Sequence, residues 1–154
     1  MGGSSCNERI RNLAFRVGQL IAQQGAIVLC GGGSGVMEAA CKGAVENGGL
    51  TIGIMTGSNV DETPPNPFVT IPIYTGMSDG RNSINVKTAN VVIAIDGGPG
   101  TLSEIGLALK NGKYVIGLST WEPTIDGQPP VGFAMAANPE DAVEKAFQLL
   151  EPQE

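Results

Sequence analysis

The chain contains no histidine. That absence removes the Ser-His-Asp triad, the Cys-His dyad and every histidine-ligated metal site. Chemistry in this protein falls to carboxylates, Arg, Lys, hydroxyls and backbone amides. Cysteine is scarce and odd in number, with Cys6, Cys30 and Cys41 outside any C-x-x-C spacing. A disulfide framework and a cysteine zinc site are therefore not expected, no metal site is predicted, and a reducing cytoplasm is the expected location. Apolar runs are short: none reaches the ~20 residues of a membrane span, and no signal peptide opens the sequence. Charge is also sparse, at 16%, and the 9 basic against 15 acidic residues leave a net charge of −6. The expected partners thus include neither nucleic acid nor an anionic membrane surface.

What remains is glycine and aliphatic sequence. Of 154 residues 23 are Gly and 42% are hydrophobic, a composition and length that fit one globular domain over 1–154. Residues 7–24 carry Ile10, Leu13, Val17, Leu20 and Ile21 on one helical face, with Gly25 as the stop. Residues 26–30 form a continuous apolar run, as in a buried parallel strand. A helix is predicted over 36–47 and a strand over 50–55. Residues 68–73 read as an edge strand because of Pro72. A short helix over 80–89, a strand over 90–95, a helix over 101–111 and a strand over 113–118 follow. Residues 119–137 read as a loop, leading to a last helix capped by Asn138 with Pro139 as its first residue.

Strands separated by helices imply right-handed crossovers and a doubly wound parallel α/β sheet with helices on both faces. Residues 2–5 (GGSS) look like a strand-to-helix turn with no strand before it. The central first strand of the sheet is thus expected to be missing from the N-terminus or replaced by another segment. A disordered glycine tail is the plain alternative.

Three segments carry candidate chemistry. Gly31, Gly32, Gly33, Ser34, Gly35 and Met37 follow a strand and open a helix, where free amides and the helix dipole favour an anion. The spacing does not match the dinucleotide fingerprint, and the next strand ends without the acidic residue that holds a ribose, so NAD is disfavoured. Asp96, Gly97, Gly98, Gly100, Thr101 and Glu104 repeat the pattern. There Thr101-x-x-Glu104 matches a capping box, in which Glu104 only bonds the cap amide. The competing role for Glu104 is a carboxylate at the cleft, as a general base or a partner for a sugar hydroxyl. Third, Met77 to Asn82 places Arg81 where a bidentate fork would reach a phosphate; its alternative is a surface pair with Asp79. Asn82 and Asn85 read as caps or ligand contacts.

At these residues the chain resembles the Rossmann-like proteins that include the "lonely guy" (LOG) cytokinin-activating phosphoribohydrolases, often misannotated as lysine decarboxylases, and the molybdenum-cofactor carrier proteins. The shared G-G-x-G-T-x-x-E motif falls on Gly97, Gly98, Gly100, Thr101 and Glu104. In the hydrolases its glutamate is catalytic together with an arginine of an M-H-x-R-K motif, roles that map onto Glu104 and Arg81. The departures are Asp96 where the hydrolases have Pro, no upstream histidine, and Asn82 in place of Lys. The resemblance is nearer to the carrier branch, which binds a phosphorylated pterin without converting it and forms oligomers. It implies a three-layer Rossmann-like fold, a homodimer or homotetramer, and a small phosphorylated ligand, with molybdopterin and a nucleoside monophosphate as candidates and no cofactor required. It also implies ligand contacts from Gly3, Ser4, Ser5, Gly32, Gly33, Ser34, Gly35, Met37, Arg81, Asn82 and the second glycine motif. Hydrolysis of an N-glycosidic bond and a ligand-free structural or regulatory module stand as the alternatives.

Overall fold

A computed structural model describes residues 1–150. The elements are α1 (Glu8–Gln23), β1 (Val28–Cys30), α2 (Val36–Val45), β2 (Thr51–Met55), β3 (Ile71–Tyr74), α3 (Arg81–Thr88), β4 (Val92–Ile95), α4 (Pro99–Lys110), β5 (Val115–Leu118), β6 (Phe133–Met135) and α5 (Pro139–Gln148). Every strand pairing between them is parallel; all four residues of β5 are buried, whereas Ile71 and Ile73 of the edge strand β3 are exposed. The layers follow the predicted α/β Rossmann-like plan. Ile10, Val17, Val36 and Val143 of α1, α2 and α5 pack with Ile95, Ile116 and Leu118 on one face. Val86 and Ile105 of α3 and α4 pack with Val92, Val115 and Phe133 on the other. No helix among the described residues is long and apolar enough to cross a membrane.

The lane that the sequence reading leaves without a strand of its own lies between two three-stranded sheets, β1-β2-β3 and β4-β5-β6. Among the described residues only Met1 and Gly2 pair with β4 in that lane: the Met1 ammonium donates to Ile93 O at 2.7 Å, Ile95 N donates to Met1 O at 2.9 Å, and Gly2 bridges Ile95 in parallel. The rest of the lane is an apolar groove of about 480 Å³ lined by Val28, Ile93, Ile95, Ile21 and Phe147 among others. Two features differ from the sequence reading. First, β6 lies within the stretch expected to be loop and extends the second sheet through Val115–Phe133 pairing. Second, α4 starts at Pro99, two residues early, with Gly98 as its cap. The edge position of β3 agrees with Pro72, which pairs opposite Gly53.

The last helix starts as its sequence predicts. Asn138 Oδ1 accepts from Asp141 N at 2.9 Å and Pro139 opens the helix. Arg16 Nε donates to Glu140 Oε1 at 2.7 Å and ties this end to α1. Asn138→Ala is expected to lower stability by about 1 kcal/mol, because an orphan amide of the first turn loses its acceptor. The measurement is the urea midpoint, which falls while the slope of the transition stays constant.

Candidate functional site

Ligands on parallel sheets bind at the carboxyl ends of the strands. Both glycine turns lie there, after β1 and after β4, and a cavity of about 330 Å³ opens between them. Gly31 forms one wall at the end of β1. Arg81, Asn82 and Asn85 come from α3, and Gly98, Gly100, Thr101 and Glu104 from the start of α4. Gly3, Ser4 and Met37 complete the lining from the predicted set. Ser5, Gly32, Gly33, Ser34, Gly35 and Gly97 do not line it.

The second turn is shaped by its backbone. Asp96 and Gly97 both have positive φ, at 52° and 107°. A Cβ on Gly97 would overlap the Thr101 side chain, so only glycine fits. Trp121 Nε1 donates to the carbonyls of Gly97 and Gly98, and Thr120 Oγ1 donates to Asp96 O, which pins the turn from behind. Because α4 begins at Pro99, Thr101 sits inside the first turn and not at the cap. The capping-box reading of Thr101 and Glu104 is thereby corrected: Gly98 caps with no side-chain bond. The first-turn amides keep their capacity for a ligand, and Glu104, 8% exposed, faces the cavity from α4 as a carboxylate.

The first turn is occupied by the chain itself. Val36 N donates to Gly3 O at 3.0 Å, and Ser34 Oγ donates to Ser4 O at 2.6 Å. Asn66 Nδ2 donates to the carbonyls of Gly32 and Gly33. Gly3 and Ser4 are thus stitched onto the turn and the start of α2, and one amide expected to be free for an anion already has an acceptor.

Arg81 holds the centre. A Cβ on Gly31 would overlap its guanidinium, so the glycine at the end of β1 is the surface against which the arginine lies. Arg81 Nε and Asn85 Oδ1 are buried and have no hydrogen-bond partner among the described residues. Leaving such a group unsatisfied costs about 1–3 kcal/mol, and buried polar atoms without partners are rare in stable folds. The ion pairs among the described residues join Arg16–Glu140, Lys42–Glu46 and Lys145–Asp141, so the surface pair of Arg81 with Asp79 is not formed. Gly31 and Asn85, read from the sequence as part of a glycine turn and as a cap or ligand contact, both line the cavity. Asn85 had a signal: it lies four residues after Arg81 and so on the same helix face.

The arrangement presents amides and a guanidinium for an anion, and Glu104 with Asn85 Oδ1 as acceptors for hydroxyl or N–H donors. Among the described residues no cluster of carboxylates and cysteines could hold a metal ion.

Known proteins share both fold and sequence with this chain. An uncharacterised protein of Archaeoglobus fulgidus is 40% identical over 146 residues, which covers 93% of this chain and 89% of that one. The molybdenum cofactor binding protein of Rippkaea orientalis superposes with a TM-score of 0.84 at 36% identity, covering 98% of this chain and 93% of that chain. The molybdenum cofactor carrier protein of Chlamydomonas reinhardtii gives the same TM-score of 0.84 and 36% identity, covering 97% and 94%. The model of the SLOG cluster4 family matches residues 1–144, and the chain belongs to that family.

Proposed function

We propose that this protein binds a phosphorylated, nucleotide-like small molecule between the two glycine turns and does not convert it. The ligand we favour is a phosphorylated pterin of the molybdopterin kind. The observation that carries this reading is Arg81, a guanidinium laid on Gly31 with a buried and unpartnered Nε, facing the open start of α4. Arg81 and the amides of Gly100 and Thr101 take the phosphate. Asn85 and Glu104 accept hydrogen bonds from the ring or sugar. The two similar solved structures are described as binding or carrying the molybdenum cofactor. The same reading expects a homo-oligomer in the cytoplasm.

One observation favours a second reading. Glu104 and Arg81 share one cavity, as N-glycosidic hydrolysis of a nucleoside monophosphate would require. Against it stands Asp96, at φ 52°, in the place where the hydrolase motif has proline. Proline is locked near −65° and cannot adopt that turn.

Thermal melting with inorganic phosphate, nucleoside monophosphates and a pterin monophosphate separates the readings. A ligand at 100 times its Kd adds about 2.7 kcal/mol, a rise of roughly 5–10 °C for a chain of this size. A rise with intact ligand recovered supports binding alone. Release of ribose 5-phosphate, abolished by Glu104→Gln, would establish the hydrolase instead. No rise with any phosphorylated compound sinks both.

A further inference from the structure

We propose that Cys30 and Cys41 are a peroxide-oxidisable pair that closes to a reversible disulfide and so locks the glycine turn between β1 and α2. The two residues lie on either side of that turn, Cys30 as the last residue of β1 and Cys41 within α2. Their sulfurs are 3.4 Å apart, so a disulfide of about 2.0 Å needs them to approach by roughly 1.4 Å. Both thiols are buried, Cys41 at 0% and Cys30 at 6% exposed, but Cys30 lines the cavity described above, which gives a small oxidant its route in. Neither thiol is used by the proposed binding function.

The surroundings divide the labour between the two sulfurs. The Cys30 thiol is lowered to about 7, first by the Cys41 hydrogen bond, against the opposing effect of burial, and further by Gly32 N–H, the N-terminal ammonium and Arg81. Gly32 N donates to Cys30 Sγ at 3.2 Å. Cys41 is pushed well up by its bond to Cys30 and by burial, so it stays protonated. Cys30 is therefore the attacking thiolate and Cys41 the resolving thiol.

The chemistry balances with one hydroperoxide. The Cys30 thiolate attacks a peroxide oxygen, the O–O bond breaks, and hydroxide leaves to be protonated to water. Cys30 becomes a sulfenic acid. Cys41 sulfur then attacks the Cys30 sulfur, the S–O bond breaks, and the Cys41 proton leaves with that oxygen as a second water. Two thiols lose two electrons and the peroxide gains them. The closed pair joins residues 30 and 41 across Gly31–Gly35, and the sulfur that accepted the Gly32 amide loses its negative charge.

The test uses the full chain, reduced and then exposed to hydrogen peroxide. The expected product is lighter by about 2 Da, carries a peptide cross-link between Cys30 and Cys41, and reverts with dithiothreitol. Amide exchange across residues 31–35 slows in the oxidised form. Cys6→Ser retains the pair and must behave in the same way. Oxygen added to Cys30 while Cys41 stays open to alkylation overturns the proposal. So does a cross-link through Cys6, or thiols that survive a dose sufficient to oxidise a free cysteine peptide. Unchanged exchange in the cross-linked form overturns the locking of the turn.

Discussion

Gly18→Val is expected to lower the stability of the chain by about 3 kcal/mol or more. Gly18 lies on the buried face of α1, where Ala14 and Val17 also pack. A Cβ there would overlap the carbonyl oxygen of Ala40 in α2 and come within 2.8 Å of its carbonyl carbon. The contact is repeated in the other direction: a Cβ on Gly43 of α2 would overlap the carbonyl of Phe15 in α1. The two helices thus cross backbone to backbone. A side chain that meets another side chain is relieved by a rotamer change, but one that meets a carbonyl moves a helix. Moving α1 away from α2 also opens the core built from Ile10, Val17, Val36 and Ala39. Urea denaturation measures the loss. Gly106→Ala is the matched control. It lies exposed in the middle of α4, its Cβ would meet nothing within 4 Å, and it is expected to raise stability by roughly 0.5–1 kcal/mol. If Gly18→Val cost no more than a few tenths of a kcal/mol, the close crossing of α1 and α2 would be wrong.

The same crossing shows what a sequence tells and withholds. The alternation of helix and strand was legible because each strand is a short apolar run and each helix repeats apolar residues at helical spacing. Asn138 was legible as a cap for a local reason, since the bond it makes reaches only three residues along the chain. The strand β6 was not legible. Three residues, Phe133 to Met135, follow a stretch rich in proline and glycine, and what makes them a strand is the edge of β5, a partner distant in sequence. The division into two sheets is likewise a matter of long-range pairing. At the site, the T-x-x-E pattern pointed to a cap at Thr101, but proline at the first helical position moved the start of α4 upstream and left Glu104 to the cavity. The glycines were visible as turns, yet their separate reasons were not. Gly97 makes room for Thr101 four residues on, whereas Gly31 makes room for Arg81, which reaches it only in the folded chain.

That last contact yields the prediction most specific to the proposed site. Arg81→Ala is expected to weaken binding of a phosphorylated ligand by about 10- to 100-fold, the ~1.5–3 kcal/mol of a hydrogen bond to a charged group. The unliganded protein is expected to lose little stability or to gain some. Its Nε is buried without a partner, so removing the side chain also removes a desolvation cost of about 1–3 kcal/mol. Affinity therefore falls with little or no loss of stability, which an arginine kept for packing alone would not produce. Arg81→Lys keeps the charge but not the planar two-pronged donor, and should recover only part of the affinity. Gly31→Ala reaches the same result from the other side, since its Cβ takes the space of the guanidinium and displaces it while leaving the charge on the chain. Calorimetric titration of the wild type and the three variants with inorganic phosphate and a nucleoside monophosphate measures each effect. Equal affinity for phosphate in wild type and Arg81→Ala would move the anion away from Arg81 and leave the start of α4 as the remaining place for it.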